Sequence, residues 1–152
     1  MLSRYEAFSH AISSINRYIQ KIERDEMVRY GCKGAFAQYL AAMVQHPEGL
    51  TAAQLCEIFD KDKAAVSRTV NEMEESGLLT RTGGHAGYHA RLQLTPEGHA
   101  AAGFVCRRAQ QAVEAGGQGL SAESREAFYA ALHLIAANLE ALCEQGLPDE
   151  SF

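Results

Sequence analysis

Five residues between positions 63 and 71 carry side chains that can bind a duplex nucleic acid. At helical spacing, one face holds a lysine, two small residues, an arginine and an asparagine: Lys63, Ala64, Ser67, Arg68 and Asn71. Arginine can pair with guanine and asparagine with adenine in a major groove, and small residues let the helix backbone approach the bases. The pattern indicates recognition of DNA, and a solvated polar face is the alternative.

The residues behind this face predict that it belongs to a helix-turn-helix. Val66, Val70 and Met73 follow the i, i+4, i+7 spacing of a buried stripe. Asp62 can cap the helix through the backbone N–H of residue 64 or 65, and Gly77 suits the C′ position. The helix with the five polar and small residues is therefore predicted to begin after Asp62 and to end before Gly77.

A shorter helix is predicted just before it. Thr51 and Gln54 form a capping-box pattern, and Ala52, Leu55 and Ile58 recur at helical spacing over about two turns. The next four residues cannot continue this apolar face, so they predict the turn. Further upstream, a helix is predicted over residues 33–45, with these residues buried: Phe36, Tyr39 or Leu40, Met43 and Val44.

A two-stranded hairpin is predicted after the helix-turn-helix. Residues 78–81 and 91–94 are typical of paired strands, and a glycine-rich tip separates them. Leu50 is expected to make a one-residue strand contact. Thr95 as N-cap, with proline at the first helical position, predicts a further helix that runs to about Glu114.

Long helices with regular apolar stripes are predicted at both ends of the chain. Ser3 can cap the first, which Gly31 would end, and Ser121 can cap the last, which Gly146 would end. The stripes are Tyr5, Phe8, Ile12, Ile15, Ile19 and Ile22 in the first helix, and Phe128, Leu132, Ile135, Leu139 and Leu142 in the last. Because these stripes exceed what a small core needs, we expect them to pair with a second copy. Packing within the monomer is the alternative.

Composition and charge are ordinary for a soluble domain. The chain has 152 residues, of which 47% are hydrophobic, and no apolar run reaches the roughly 18–20 residues of a membrane span. The start lacks the pattern of a signal peptide, so a cytoplasmic location is expected. The net charge of −5 argues weakly against nucleic-acid binding, although residues 61–91 hold five Lys or Arg and four acids.

The four cysteines form no C-x-x-C pair and are expected to be reduced thiols in the core. No Ser/His/Asp arrangement, Gly-rich phosphate loop or carboxylate pair is evident, so the sequence does not predict an enzyme.

The order of predicted elements resembles the MarR family of winged-helix transcriptional regulators. The most specific residues are the run 48–81 and the sequence Leu-Thr-Pro-Glu-Gly at 94–98. The resemblance covers nearly the whole chain. It implies an obligate dimer that binds a pseudo-palindromic operator, with a recognition helix of each subunit in a major groove and each wing tip in a flanking minor groove.

The resemblance also assigns DNA-contacting positions. The family's base-facing and phosphate-facing positions fall on the five residues of the predicted recognition helix, and two threonines become candidate phosphate donors. Together with the cations and histidines of the hairpin, the predicted contacts are Thr51, Lys63, Ala64, Ser67, Arg68, Thr69, Asn71, Arg81, His85, His89 and Arg91.

The wing tip departs from the family's pattern. Many members carry Asp-x-Arg there, whereas the matching positions here hold Ala86 and Tyr88, and the tip has no Arg or Lys. Insertion into the minor groove then falls to His85 or His89, or is missing. We therefore expect wing contacts that are weaker or more dependent on pH.

The family's ligand cleft and metal sites have less support in this sequence. In the resembled fold a small aromatic or phenolic acid would bind beside Tyr18, Tyr30, Phe36, Tyr39, Met43, Phe104 and Arg108, each of which can equally be ordinary core. Some members sense zinc, and in the resembled fold Glu23, Glu26 and His99 could approach Cys32 and His46. Because the helix with His99 lacks a second histidine one turn on, we expect no metal and no cofactor.

Taken together, the residues and the resemblance predict a mainly α winged helix-turn-helix with a small hairpin wing. We expect one domain over 1–152, with the winged lobe at 32–95 and dimerisation helices at 1–30 and 96–146. The protein is predicted to be a homodimeric regulator that binds a specific DNA sequence and responds to a ligand, and we expect a repressor in preference to an activator. The alternative is a winged-helix module that binds protein. The operator, the effector and the sign of regulation are not specified by the sequence.

Overall fold

The computed structural model describes residues 3–83 and 90–149, and six helices and three strands follow one another in this part of the chain. They are α1 (Arg4–Tyr30), α2 (Phe36–Val44), β1 (Leu50–Thr51), α3 (Ala52–Phe59), α4 (Lys63–Glu75), β2 (Leu79–Thr82), β3 (Arg91–Leu94), α5 (Pro96–Gly116) and α6 (Ala122–Gln145). The predicted fold class, a mainly α winged helix-turn-helix, is confirmed. Among these helices, none is both long and apolar enough to span a membrane.

Local signals set both ends of α1. The Ser3 hydroxyl accepts from the Glu6 N–H at 3.1 Å, and the Glu6 carboxylate accepts from the Ser3 N–H at 2.7 Å. At the other end Gly31 has a φ of 102°, and its N–H bonds to the carbonyls of Met27 and Val28. The predicted bounds of this helix are confirmed.

Helices α3 and α4 form the helix-turn-helix. The Thr51 hydroxyl accepts from the Gln54 N–H at 3.2 Å, and Gln54 Oε1 accepts from the Thr51 N–H at 2.8 Å. Asp60 then turns the chain with a left-handed φ of 49°. Asp62 Oδ1 accepts from the Ala65 N–H at 2.8 Å and begins α4. Both predicted caps are confirmed.

A three-stranded antiparallel sheet in the order β1-β3-β2 follows the helix-turn-helix. Leu79 pairs with Leu94 and Arg81 with Leu92, while Leu50 of β1 pairs with Leu92 from the other side. Leu50, Leu79 and Leu92 are buried, so one side of the sheet closes against the core. Strand β3 has the predicted bounds, β2 begins and ends one residue later than predicted, and β1 has two residues instead of one.

The core lies under the helix-turn-helix and the sheet. Its buried residues come from all the elements between α1 and α5: Met27, Phe36, Ala37, Tyr39, Leu40, Met43, Leu50, Ala52, Leu55, Val66, Val70, Met73, Leu78, Leu79, Leu92, Ala101, Ala102 and Val105. The predicted buried stripe of α4 is confirmed, because Val66, Val70 and Met73 are each at most 1% exposed.

Two predictions about α2 are wrong. The helix begins at Phe36, three residues later than predicted, because Gly34 lies against the Arg24 carbonyl and the chain turns there through a bond from Phe36 N to Lys33 O. Val44 is exposed, because Met43 already fills the last buried position of the helix.

The predicted burial of Ile58 is also wrong. It is 48% exposed, and the next residue, Phe59, takes its place by packing on the Tyr39 ring with the ring centroids 4.7 Å apart.

The cysteines differ from the prediction as well. Cys106 and Cys143 are exposed instead of lying in the core. Cys106 is on the solvent-facing side of α5, and α6, which contains Cys143, has no buried residue.

The described residues divide into two compact units, one that ends at Val113 and one that begins at Glu114. In the second unit, Arg125 bonds to the Glu114 carboxylate at 2.9 Å and to the Gly117 carbonyl at 3.0 Å. Helix α6 has the predicted N-cap, Ser121, and ends at Gly146 as predicted, and none of its residues is buried. The predicted single domain with its three segments stays a prediction.

Candidate nucleic-acid interface

The exposed face of α4 contains the five residues that the sequence singles out. Lys63, Ala64, Arg68 and Asn71 are exposed and Ser67 is half-buried, whereas the opposite side of the helix packs in the core. A cation, two small residues, an arginine and an amide thus form one surface that we call the α4 face. Its shape and chemistry suit the major groove of a duplex, where arginine and asparagine can bond to base edges.

Charge along α4 is distributed unevenly. The acidic end of the helix has cationic partners: Lys33 Nζ lies 3.0 Å from a Glu72 oxygen, and Arg81 Nε lies 3.0 Å from a Glu74 oxygen. Arg68, near the middle of the α4 face, has no ion-pair partner in residues 3–83 and 90–149. The net charge of −5 therefore overstates the negative charge that a duplex would meet at this face.

Arg81 joins the start of the wing to the α4 face. Its Nη2 donates to Asn71 Oδ1 at 2.6 Å, and its Nε donates to Glu74. Two predicted DNA contacts, Asn71 and Arg81, are therefore hydrogen-bonded to each other. Sequence reasoning missed Glu74, which holds Arg81, because a glutamate near the end of a helix is typical of a solvated face.

The other predicted contacts of the helix-turn-helix are engaged within the protein. Thr51 is tied to Gln54 in the capping box, and Arg91 Nη1 donates to the Gly49 carbonyl at 3.2 Å. Thr69 is half-buried. Its hydroxyl donates to the Ala65 carbonyl at 3.3 Å and also bonds to Tyr39, whose pKa is raised by burial and lowered in part by this bond.

The structure does not bring Thr69 to the α4 face, since its hydroxyl is directed at the Ala65 carbonyl and at Tyr39. Thr51 remains a predicted phosphate contact, and Arg91, in β3, remains a predicted DNA contact. His85 and His89, with the neighbouring Ala86 and Tyr88, lie outside the described residues, so the predicted wing-tip contacts stay predictions.

The predicted cleft residues fall into two groups. Phe36, Tyr39 and Met43 are at most 3% exposed and belong to the core. Tyr18 is exposed, and Tyr30 is half-exposed with its ring centroid 5.1 Å from that of Phe104. The structure therefore brings together Tyr30 and Phe104, and Arg108 follows Phe104 by one helical turn on α5.

Arg108 contacts a carboxylate of the chain itself. Its Nε donates to Glu26 Oε2 at 2.9 Å and its Nη2 to Oε1 at 3.5 Å, while Arg29 approaches the same carboxylate at 3.7 Å. The hydrogen bond from Arg108 holds the pKa of Glu26 below its usual range, and the partner raises the pKa of Arg108. Glu26 is 9% exposed and the Arg108 side chain is 40% exposed, so α1 and α5 share an ion pair with a nearly buried carboxylate, which sequence reasoning missed.

His46 and His99, two of the five metal candidates, line one cavity, whereas Glu26 is paired with Arg108. His46 Nδ1 lies 3.2 Å from a Glu48 oxygen, and burial raises the pKa of Cys32. Among residues 3–83 and 90–149, no group of three or more His, Cys, Asp or Glu side chains is arranged to hold a metal ion.

The predicted dimer residues are solvent-exposed in the single chain. In α1, Tyr5, Phe8 and Ile12 are exposed, with Tyr5 at 76%. In α6, Leu132 of the predicted stripe is half-buried. The other four residues of the stripe are exposed: Phe128, Ile135, Leu139 and Leu142. Each helix taken by itself thus presents an apolar row to solvent, which is the property expected of an interface.

The chain resembles known proteins in both sequence and fold. Residues 30–87 match the sequence model of the MarR family. No curated protein sequence matches the chain. Among solved structures, that of MarR superposes with a TM-score of 0.78 at 18% identity, over 95% of this chain and 99% of that one.

Two further structures show the same likeness. A MarR transcriptional regulator of Methanosarcina mazei Go1 has a TM-score of 0.77 at 19% identity, over 93% of this chain and 94% of that one. A MarR-family transcriptional regulator of Listeria monocytogenes, solved in complex with 26mer DNA, has a TM-score of 0.67 at 17% identity, over 99% and 100% of the two chains. The family's sequence model thus matches the chain from the end of α1 through β2, and most of the chain shares the fold of solved MarR-family structures.

Proposed function

We propose that this protein is a transcriptional regulator that binds a specific duplex DNA sequence as a homodimer, with the α4 face of each subunit in a major groove. The observation that carries the proposal is the α4 face itself. Its arginine, lysine and asparagine are exposed on the side of α4 opposite the buried stripe of Val66 and Val70. An exposed face of this chemistry on the second helix of a helix-turn-helix suits base recognition.

The relatives support the proposal. The Listeria regulator that shares this fold was solved on a 26mer DNA, and this chain covers the whole of it. The charge distribution supports it as well, because Lys33 and Arg81 neutralise two of the acids near the end of α4. The phosphates would thus meet the more basic beginning of the helix.

The homodimer is supported by the exposed apolar rows of α1 and α6. Side chains such as Phe128 and Leu139 gain free energy when a second copy removes them from water, at about 25 cal/mol per Å² of apolar surface. A symmetric pair would place two α4 faces about one helical turn of DNA, ~34 Å, apart. The two-fold symmetry of such a pair predicts a pseudo-palindromic operator, and the distance predicts the spacing of its two half-sites.

We further propose that the regulator is a repressor whose occupancy falls when a small aromatic acid binds. Tyr30 and Phe104 offer half-exposed rings, and Arg108 offers a cation whose side chain is 40% exposed. An acid bound there would compete with Glu26 for Arg108 and so act on the contact between α1 and α5. A panel of aromatic acids should raise the melting temperature and release the operator, and a panel that does neither would remove this part of the proposal.

The proposal is tested by selecting duplexes from a random pool with the purified full chain and sequencing them. The expected result is a pseudo-palindrome with half-sites one helical turn apart, bound with an affinity that falls steeply as salt rises. The acidic net charge leaves one other candidate, a winged-helix module that binds protein. Selection that yields no enriched sequence, with no duplex binding at low salt, would favour that candidate.

A further inference from the structure

Arg81 lies between the wing and the α4 face, and its hydrogen bonds commit it to α4. Its Nη2 donates to Asn71 Oδ1 at 2.6 Å, and its Nε donates to Glu74 Oε2 at 3.0 Å. Only 26% of its side chain is exposed. A long cation that is held at two points and mostly covered differs from the extended, mobile side chains that usually contact phosphates.

The contact with Arg81 determines which way the Asn71 amide points. A guanidinium has donors and no acceptor, so the amide atom that faces it must be the oxygen. The amide torsion of an unrestrained asparagine has two broad and similar minima, and the side chain can present either its oxygen or its nitrogen to a ligand. Arg81 removes this choice, because it occupies the amide oxygen. Nδ2, with its two N–H donors, is the amide group that remains for a ligand.

Glu74 in turn determines where Arg81 is held. Its carboxylate accepts from Nε, which fixes the plane of the guanidinium, and it offsets the positive charge. A charge-assisted bond of this kind is about twice as strong as a neutral one. The order Glu74, Arg81, Asn71 is thus a chain of hydrogen bonds that ends on the α4 face.

We infer that Arg81 is a positioning residue that sets the base preference of Asn71 and does not contact phosphate. The inference rests on the proposed function and deepens it. With its oxygen held by Arg81, Asn71 donates from Nδ2 to the major groove. It therefore favours a base whose edge offers an acceptor, such as N7 of a purine, over cytosine, whose N4 only donates.

The test compares base discrimination and salt dependence in matched variants of the full chain. The variants are Arg81→Lys, Arg81→Met, Asn71→Ala and the double variant Arg81→Lys with Asn71→Ala. Lys33→Met is the control, because Lys33 is the other cation paired with α4, through Glu72. Each protein is titrated, at two salt concentrations, with the selected operator and with derivatives that carry single base-pair changes.

Arg81→Lys keeps the charge but has a single ammonium, which cannot hold Asn71 and Glu74 together. We expect its salt dependence to equal that of the wild type, while discrimination at one base pair of each half-site falls by about tenfold. Asn71→Ala should lose discrimination at the same base pair. The double variant should lose no more than Asn71→Ala alone, because the two residues act as one unit. Lys33→Met should keep the wild-type discrimination.

Three results would overturn the inference. One is that Arg81→Met loses affinity equally for all DNA sequences and has a salt slope lower by about one per subunit, as expected of a lost phosphate contact. The others are wild-type discrimination in both Arg81 variants, and additive losses in the double variant. Should Arg81→Met fail to fold, as judged by thermal unfolding, Arg81→Lys decides. A wild-type protein without sequence preference would instead defeat the proposed function, and this inference would fall with it.

Discussion

Gly98, in the first turn of α5, lies directly against the carbonyl oxygen of Leu78, so that no side chain fits between α5 and the start of the wing. Thr95 secures the same corner. Its N–H donates to the Leu78 carbonyl at 3.1 Å, and its hydroxyl accepts from the Gly98 N–H at 3.0 Å and donates to the Gly77 carbonyl. This corner fixes the start of the wing against α5, and it explains Thr95 and Gly98 in the Leu-Thr-Pro-Glu-Gly sequence at 94–98.

Replacing Gly98 by alanine should therefore destabilise the fold. A Cβ atom at this position overlaps the backbone of Leu78, which cannot move aside as a flexible side chain would. We expect Gly98→Ala to lower the free energy of unfolding by about 1–3 kcal/mol, measured by urea denaturation. Gly103→Ala, in the same helix, is the control. Its Cβ would meet only the end of the Arg107 side chain, so a gain of about 0.5–1 kcal/mol is expected. Equal effects of the two changes would contradict the close contact at Leu78.

Arg68 is predicted to read a base. Arg68→Ala should weaken binding to the selected operator by about 1–3 kcal/mol at fixed salt and relax the preference at one base pair of each half-site. Lys21→Ala removes a charge from α1, where Lys21 pairs with Asp25, and serves as the control with the same change in net charge. Wild-type affinity in Arg68→Ala would remove Arg68 from the interface.

The apolar row of α6 is predicted to be a dimer interface. Leu139→Glu places a charge within the row, where desolvating it opposes association, so sedimentation should detect monomer at concentrations where the wild type is dimeric. Leu139 is 48% exposed in the single chain, and the change should not disturb the fold of the monomer. Leu134→Glu is the control, because Leu134 is exposed about a third of a turn away from the row. Dissociation by both variants alike, or by neither, would argue against this interface.

The Glu26–Arg108 pair predicts a pH dependence of stability. Because the folded pKa of Glu26 is lowered, the pair contributes stability above the unfolded pKa of 4.5, and this contribution disappears as the pH falls through the folded value. Glu26→Gln should therefore melt at a lower temperature than the wild type at pH 7, and the difference should close below pH 4.5. In an Arg108→Met background the same change should have little effect. A difference that stays constant from pH 7 to pH 3 would contradict this role of the ion pair.

Features that depend on neighbours in sequence could be predicted, since capping is a local interaction. The capping box of Thr51 with Gln54 and the cap at Asp62 follow from residues within one helical turn, and the structure has both. The choice between Ile58 and Phe59 as the buried residue could not be predicted. Either fits the end of a short helix, and the Tyr39 ring on another helix decides it.

The candidate site shows the same limit. The composition of the α4 face could be predicted from the sequence, because all five of its residues belong to one helix. The bond from Arg81 to Asn71 could not be predicted, because it depends on how the wing strand is placed against a helix ten residues earlier. Arg108 was recognised as a cation suited to a carboxylate, yet its actual partner, Glu26, is 82 residues away in sequence.

The central claim, that the α4 face occupies the major groove of a duplex, is tested most directly by methylation interference on the selected operator. Methylation of guanine N7 blocks an atom that is accessible only from the major groove. We predict that it prevents binding at two clusters of guanines one helical turn apart, and that Arg68→Ala loses sensitivity to one guanine in each cluster. Binding that tolerates N7 methylation throughout the operator would contradict the account.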